Sequence, residues 1–297
     1  MLYLPKSLIV LGDGVIASEY ASIFKALDVK VTMIDKHPTP LGVFDTDLSN
    51  KFLHAFETMG GTWQSNSIVK SAHWNNKNVV VELDDGSIIE GEKLLCAAGR
   101  LANVGGLKLD NIGLSLNSRG LISVDEHIQT EIPSVYAAGD VIGPPALAST
   151  AMEQGRRAMG NAYDLSFGKM SHLIPTGIYG IPELSAVGLS EAAAREQFGD
   201  VIIGKALFEE IARGQISGIQ DGMLKIVCDP AGESILGVMI VGEGATELIH
   251  IGQMAMLSKA HVDIFVESIF NFPTLAEAYR VAALSIIGQR HQNQAKY

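Results

Sequence analysis

Apolar residues fill positions 8 to 11, and Gly12-Asp13-Gly14 follows at once. Ile16, Tyr20, Ile23, Phe24 and Leu27 then recur at helical spacing. This predicts a short buried strand, a glycine-bearing turn and a helix whose apolar face is that stripe. Val31 to Ile34 is a second apolar strand, ending at Asp35. Leu48, Phe52, Phe56 and Met59 place a helix over 47–59, which Gly60-Gly61 stops. Residues 69–74, 78–83 and 87–90 read as a small antiparallel meander inserted in a parallel sheet, with turns at Asn75-Asn76 and Asp84-Asp85-Gly86. Lys93 to Ala98 returns to that sheet and ends at Gly99-Arg100.

Further along, 135–138 reads as a short strand, Gly139 as a turn that stands Asp140 at its end, and a helix begins near Ala146. The texture changes from Pro175. Ser190 is the expected N-cap of a helix, 201–208, 222–228 and 235–241 are strands, and helices cover 245–259 and a stretch from about Leu275. Strands alternating with helices, then strands followed by helices, indicate an α/β protein with a Rossmann-like N-terminal unit and an α+β C-terminal domain.

Strand, glycines, helix, strand and acid, in that order, carry chemistry. Gly12 permits the tight turn, Gly14 lets a pyrophosphate approach the backbone, and small Ala17 lets helix and strand pack closely. The free N–H groups and dipole of the helix N-terminus favour negative charge there. Asp35, 21 positions after Gly14, can accept a hydrogen bond from an adenosine ribose hydroxyl. It repels a 2′-phosphate, whereas the adjacent Lys36 and His37 attract one, so the residues leave NAD and NADP both open. Ligands of open α/β sheets lie beyond the carboxyl ends of the strands, which makes Gly99 and Arg100 candidates for lining the same groove; the alternative is a plain strand stop. Around Asp140, the start of the next helix at Leu147 and Ala148 is small-residued and uncharged, able to offer N–H groups to an electron-rich ring atom. Read locally, it is equally a strand-turn-helix with an exposed acid.

Length, charge and cysteines narrow the class. At 297 residues the chain can hold two or three domains. Its net charge of −11 argues against nucleic-acid or anionic membrane partners, which need clustered Lys and Arg. No stretch approaches the ~20 apolar residues of a membrane span, and no basic-then-apolar leader opens the chain; a soluble, cytoplasmic protein is expected. Cys96 and Cys228 read as reduced, mostly buried thiols, not as a disulfide or metal site.

Four motifs then converge: Gly12-Asp-Gly14-x-x-Ala17-x-Glu19-Tyr-Ala21, Ala97-Ala-Gly99-Arg100-x-x-Asn103, Thr130 to Asp140, and Phe272-Pro-Thr-Leu-Ala-Glu277. In this order, over essentially the whole chain, they resemble the flavoprotein pyridine-nucleotide disulfide oxidoreductases. The resemblance implies an NAD(P)-binding domain at 1–100, the C-terminal part of an FAD-binding domain at 101–170 and a dimerisation domain at 171–297. It implies FAD, NAD and NADP as cofactors, NADH and NADPH as substrates, and a homodimer. By the same resemblance Asp140 bonds the FAD ribitol, the turn from Leu147 and Ala148 to Ala151 faces the flavin ring, and Glu19 is the catalytic candidate, lying near nicotinamide and flavin. In the family that glutamate pairs with a lysine from an N-terminal FAD-binding fold of about one domain, ~150 residues. Because this sequence opens on the NAD strand, it is expected to be the C-terminal portion of a longer enzyme.

One departure bears on the reaction. Disulfide-reducing members use a cysteine pair from the N-terminal region and a His-Glu dyad from the partner subunit. Here Phe272 stands at the histidine position while Glu277 remains, and phenylalanine cannot relay a proton. The resemblance therefore implies FAD-dependent hydride transfer between NADPH and NAD+. The alternatives are a dihydrolipoamide dehydrogenase-like disulfide oxidoreductase, and a non-catalytic module that binds a dinucleotide and dimerises. Phe272 is also readable as a core aromatic preceding a helix.

Overall fold

The computed structural model describes residues 3–165, 167–219 and 221–294. Strand β1 (Ser7–Leu11), buried along its centre, leads through the glycine turn into α1 (Val15–Ala26). β2 (Lys30–Ile34) runs parallel to β1, with Leu8 opposite Val31 and Leu11 opposite Ile34. Asp45 opens α2 (Thr46–Thr58), its side chain accepting from the Asp47 N–H at 3.0 Å. β3 (Thr62–Gln64) adds a third parallel strand. The meander β4 (Val69–Trp74), β5 (Val79–Leu83) and β6 (Ile88–Gly91) forms a three-stranded sheet of its own, where the sequence reading inserts it in the parallel one. β7 (Lys93–Cys96) then pairs parallel with β1, giving the order β3-β2-β1-β7.

The sequence misplaces the inward face of α1. Ala17 and Ala21 are buried over the sheet and Ser18 and Ser22 are buried too, Ser22 against Ile181, whereas Ile16, Tyr20, Ile23 and Leu27 are exposed, Tyr20 to 48% and Leu27 to 54%. Of the apolar stripe, Phe24 joins the cluster formed by Leu8, Val10, Val31 and Met33. Periodicity finds the most hydrophobic face, but close packing of helix on strands selects the smallest one.

The chain packs as two units, one running to Ala98 and resuming at Pro175, the other Gly99–Ile174. The smaller is built on buried Val104, Leu114 and Ile122, with Ile132, Val135, Ala137 and Val141 packed around them, and on helix α3 (Ala148–Ala162). The strand expected at 135–138 is only a single antiparallel bridge, Gln129 to Tyr136. Its hydrogen bonds are spent closing a local turn, Thr130 N–H to Val135 O at 2.9 Å and Ala137 N–H to Ile128 O at 3.3 Å.

The larger unit continues with β8 (Thr176–Ile178), β9 (Leu184–Gly188), α4 (Glu191–Phe198), β10 (Ile202–Leu207), α5 (Ala212–Ser217), β11 (Met223–Cys228), β12 (Ile235–Val241), α6 (Ala245–Leu257), α7 (Ile264–Glu267) and α8 (Glu277–Gln294). The strands make one antiparallel sheet, β10-β11-β12-β9-β8. Ser190 caps α4 as expected, accepting from the Ala193 N–H at 3.3 Å. β8 and β9 escape the sequence reading because each is short and flanks a Gly-Ile-Pro turn. Leu41, Leu48 and Phe52 of the N-terminal part share one core with Ile178, Leu184, Met223, Met239 and Val241. Two stretches read as separate domains thus pack as one body.

A buried charge cluster ties the same two stretches together. Lys225, in the middle of β11, is 1% exposed. Its ammonium meets Asp45 Oδ1 at 2.8 Å, Asp47 Oδ2 at 2.6 Å and Glu191 Oε2 at 2.7 Å. Asp45 Oδ2 also accepts the Glu191 N–H at 3.0 Å, so one carboxylate serves the first turns of both α2 and α4. Lys205 on Asp47 and Arg195 on Glu191 bring the cluster to three cations against three anions. Burial alone would lower the Lys225 ammonium, but its three carboxylate partners hold it above the ordinary lysine value. Burial likewise pushes Asp47 and Glu191 up, and their cationic partners more than reverse it.

Two other expectations change. Cys228 is buried, which raises its thiol, but Cys96 at the end of β7 is exposed. Phe272 is 73% exposed and Ile269 95%, so Phe272 is not a core aromatic of this chain. Among the described residues no helix is long and apolar enough to cross a bilayer.

Candidate functional site

The β1–α1 turn is fixed from both sides. Gly12 donates its N–H to Ile34 O at 3.0 Å, and its φ is +121°. A Cβ there would lie 2.5 Å from the carbonyl oxygen of Ala97, so only glycine fits. Gly14 differs. It is the N-cap of α1, contributes no side-chain cap, and a Cβ built on it meets nothing within 4 Å. The space beside the Gly14 Cα is therefore open, and the first N–H groups of α1, which have no intrahelical partner, meet no side-chain cap and no acid in the first turn. Fully buried Ala17 sits on the sheet side. This cradle fits the pyrophosphate of a dinucleotide, because a phosphate can reach the backbone donors where any side chain would intervene.

Asp35 lies one residue beyond β2. Its Oδ1 accepts from the His37 backbone N–H at 3.1 Å and from His37 Nδ1 at 2.8 Å. His37 Nδ1 also reaches Asp13 Oδ2 at 2.9 Å. The sequence reading names Asp35 and His37 but misses Asp13, whose carboxylate only the turn brings alongside.

Glu19 stands on α1 with Oε1 accepting the Tyr179 N–H at 2.9 Å. One turn on, Ser22 Oγ accepts the Ile181 N–H at 3.0 Å. The catalytic candidate thus also anchors the segment after β8, a contact across 160 residues of sequence that no local pattern signals.

In the smaller unit the Arg100 guanidinium lies 3.7 Å from Asp140 Oδ2. Gly139 takes a φ of +84° and donates to Gln154 Oε1 at 2.7 Å, which leaves the Asp140 carboxylate half-exposed at the end of the turn. Leu147 is the N-cap of α3 and Ala148 its first residue, again without a side-chain cap. Among the described residues Thr150 Oγ1, in that first turn, is buried with no hydrogen-bond partner. An exposed acid, uncapped N–H groups and an orphaned hydroxyl fit the polar ribitol and ring edge of a flavin. Gly99 and Arg100 open this same unit.

A family profile described as pyridine nucleotide-disulphide oxidoreductase matches residues 3–155, and the dimerisation domain of that family matches residues 174–283. The chain belongs to this family. Among curated relatives, the soluble pyridine nucleotide transhydrogenase of Marinobacter nauticus is 41% identical over 95% of this chain, and that of Pseudomonas putida (strain W619) 42% over 94%. The chain spans 61% of the length of each. Solved structures share its fold. LpdA from Mycobacterium tuberculosis superposes with a TM-score of 0.89 at 27% identity, covering 96% of this chain and 62% of that one. The flavoprotein disulfide reductase RclA from Escherichia coli gives 0.89 at 26%, covering 96% and 66%.

Proposed function

We propose that this chain is the dinucleotide-binding and self-associating part of an enzyme that moves hydride between NADPH and NAD+ with FAD. What carries the reading is identity of 41–42% to soluble pyridine nucleotide transhydrogenases over 94–95% of the chain. Phe272 at the position of the family's proton-relaying histidine supports it. The backbone N–H groups at Gly14 and the first turn of α1 hold the pyrophosphate, and Asp35 accepts from the adenosine ribose. Glu19 orients the Tyr179 segment beside the nicotinamide end. Asp140 and the α3 start at Leu147 and Ala148 hold the ribitol and ring edge, with Arg100 beside Asp140 at 3.7 Å in the same unit. A bound flavin supplies reversible two-electron hydride transfer. Nothing at Phe272 can donate or accept a proton, so disulfide chemistry lacks its acid–base partner.

The test is an assay of this chain within a longer protein carrying the remaining length of its relatives. NADPH should reduce a thio-analogue of NAD+, and lipoamide should not be reduced; lipoamide turnover at a comparable rate would make it a disulfide reductase. The 297-residue chain alone should bind NAD(H) but show no flavin band after incubation with FAD and gel filtration, since its own FAD contacts are confined to ribitol and ring.

Self-association involves the exposed apolar residues of the C-terminal part, among them Met254, Leu257, Ile264, Ile269 and Phe272. Sedimentation of the chain should give twice its 31.7 kDa mass at micromolar concentration. A strictly monomeric boundary counts against the dimer.

A further inference from the structure

The carbonyl of Asp13 and the N–H of Gly14 belong to one peptide group. That group is planar and trans, so its oxygen and its hydrogen point in opposite directions, and whatever fixes the oxygen aims the donor. The oxygen is fixed from outside the glycine turn, by the Leu41 N–H at 2.8 Å. A hydrogen bond on the carbonyl also polarises the N–H at the other end of the same peptide, which strengthens it toward an anion. Among the described residues the Gly14 N–H donates to no protein group.

Leu41 holds this place in a backbone that leucine disfavours. It lies between β2 and α2, and its φ is +58°, in the left-handed region. Carbonyl and side chain both keep it there. The carbonyl accepts the Phe44 N–H at 2.9 Å and the Ser49 hydroxyl at 2.9 Å. The side chain is fully buried, in the core that Leu48 and Phe52 of α2 share with Ile178, Leu184 and Met239. The start of α2 is in turn tied to Lys225 of β11 through Asp45 and Asp47. A strained residue persists where its surroundings over-determine it, and these surroundings come largely from the C-terminal part of the chain.

We propose that Leu41 is a positioning residue for the dinucleotide cradle: its N–H aims the Gly14 donor, and the C-terminal core holds Leu41 in the backbone this requires. The proposal rests on the dinucleotide reading above. Affinity for the nucleotide is then a property of both stretches, although every residue of the cradle itself belongs to the first.

The experiment is NADH titration of the intact 297-residue chain, each variant first shown by a thermal melt to be folded at the titration temperature. Replacing Leu41 by its α-hydroxy acid exchanges the N–H for an ester oxygen and keeps the side chain in the core. NADH should weaken roughly fivefold, the scale of one neutral hydrogen bond, and the Gly14 amide resonance of the free protein should shift. Leu41→Ala keeps the N–H but removes its seat, and NADH should weaken again. Phe265→Ala empties a buried site beside Tyr279, outside this core; it should lower the melting temperature and leave NADH affinity unchanged. A folded ester variant that binds NADH as tightly as wild type overturns the inference and leaves the dinucleotide reading standing. Equal loss of NADH in Leu41→Ala and Phe265→Ala also overturns it, because affinity would then follow stability alone. If the wild-type chain binds no NADH, both fall.

Discussion

Gly14→Ala strongly weakens dinucleotide binding and leaves the fold intact, whereas Gly12→Ala damages both. At Gly14 the backbone is ordinary for any residue, with φ −76° and ψ −174°, and an added methyl meets nothing within 4 Å. The free protein should lose no more than the small difference between glycine and alanine at an N-cap, well under ~1 kcal/mol. The empty space is the one a pyrophosphate needs. Displacing it from two backbone donors forfeits two charge-assisted hydrogen bonds at about 1.5 kcal/mol each, which is roughly a hundredfold in Kd. At Gly12 the same methyl lies 2.5 Å from Ala97 O and 2.9 Å from Ala97 C, on a backbone at φ +121°. β1 and β7 are paired up to that point, and the Ala97 N–H itself bonds Leu11 O at 2.8 Å, so the strand cannot give way cheaply. Thermal melts and NADH titrations of the two variants separate the roles. A Gly14→Ala protein that binds NADH within threefold of wild type would remove the cradle from the site.

Lys225→Met should be the most destabilising single change in the C-terminal part. The lysine is buried, and so is Asp45, at 4% exposure. Removing one member of a buried ion pair leaves an uncompensated charge, which costs about 3–5 kcal/mol, against ~0–1 kcal/mol for an exposed pair. The loss reaches further than one contact, because Asp45 and Glu191 sit at the starts of α2 and α4. Urea denaturation is the measurement, and adding Asp45→Asn to Lys225→Met should recover part of the loss. A change below ~1 kcal/mol would show the cluster to behave as a solvated pair.

The same cluster shapes the pH profile. Asp47 and Glu191 are held below their ordinary values of 3.8 and 4.5, so their stabilisation is fully present above about pH 4.5 and disappears as pH falls through the lowered values. Lys225 is held above 10.5, so its contribution is present below that pH and disappears as pH rises through the raised value. In Lys225→Met the acid limb of stability should become shallower but persist, since one of the two cations that lower each carboxylate is gone while Lys205 on Asp47 and Arg195 on Glu191 remain.

The glycine turn between β1 and α1 was legible from sequence because its determinants are local. Gly12, Gly14, Ala17 and Asp35 fall within 24 consecutive residues, and a strand, a turn and a helix each leave a periodic signature at that range. The family was legible for a related reason: its motifs are short, specific and ordered along the chain. Other features were decided by tertiary packing. Which face of α1 turns inward depends on how closely the sheet allows a helix to approach, and Ala17, Ser18, Ala21 and Ser22 win over a more hydrophobic stripe. Lys225 reads in the sequence as the one polar residue in an apolar strand, and only folding brings Asp45 to it across 180 residues. The Glu19 contact with Tyr179 and the sharing of His37 between Asp13 and Asp35 follow the same rule. A charge or a hydrogen bond has no period, so its partner appears only when the chain has closed around it.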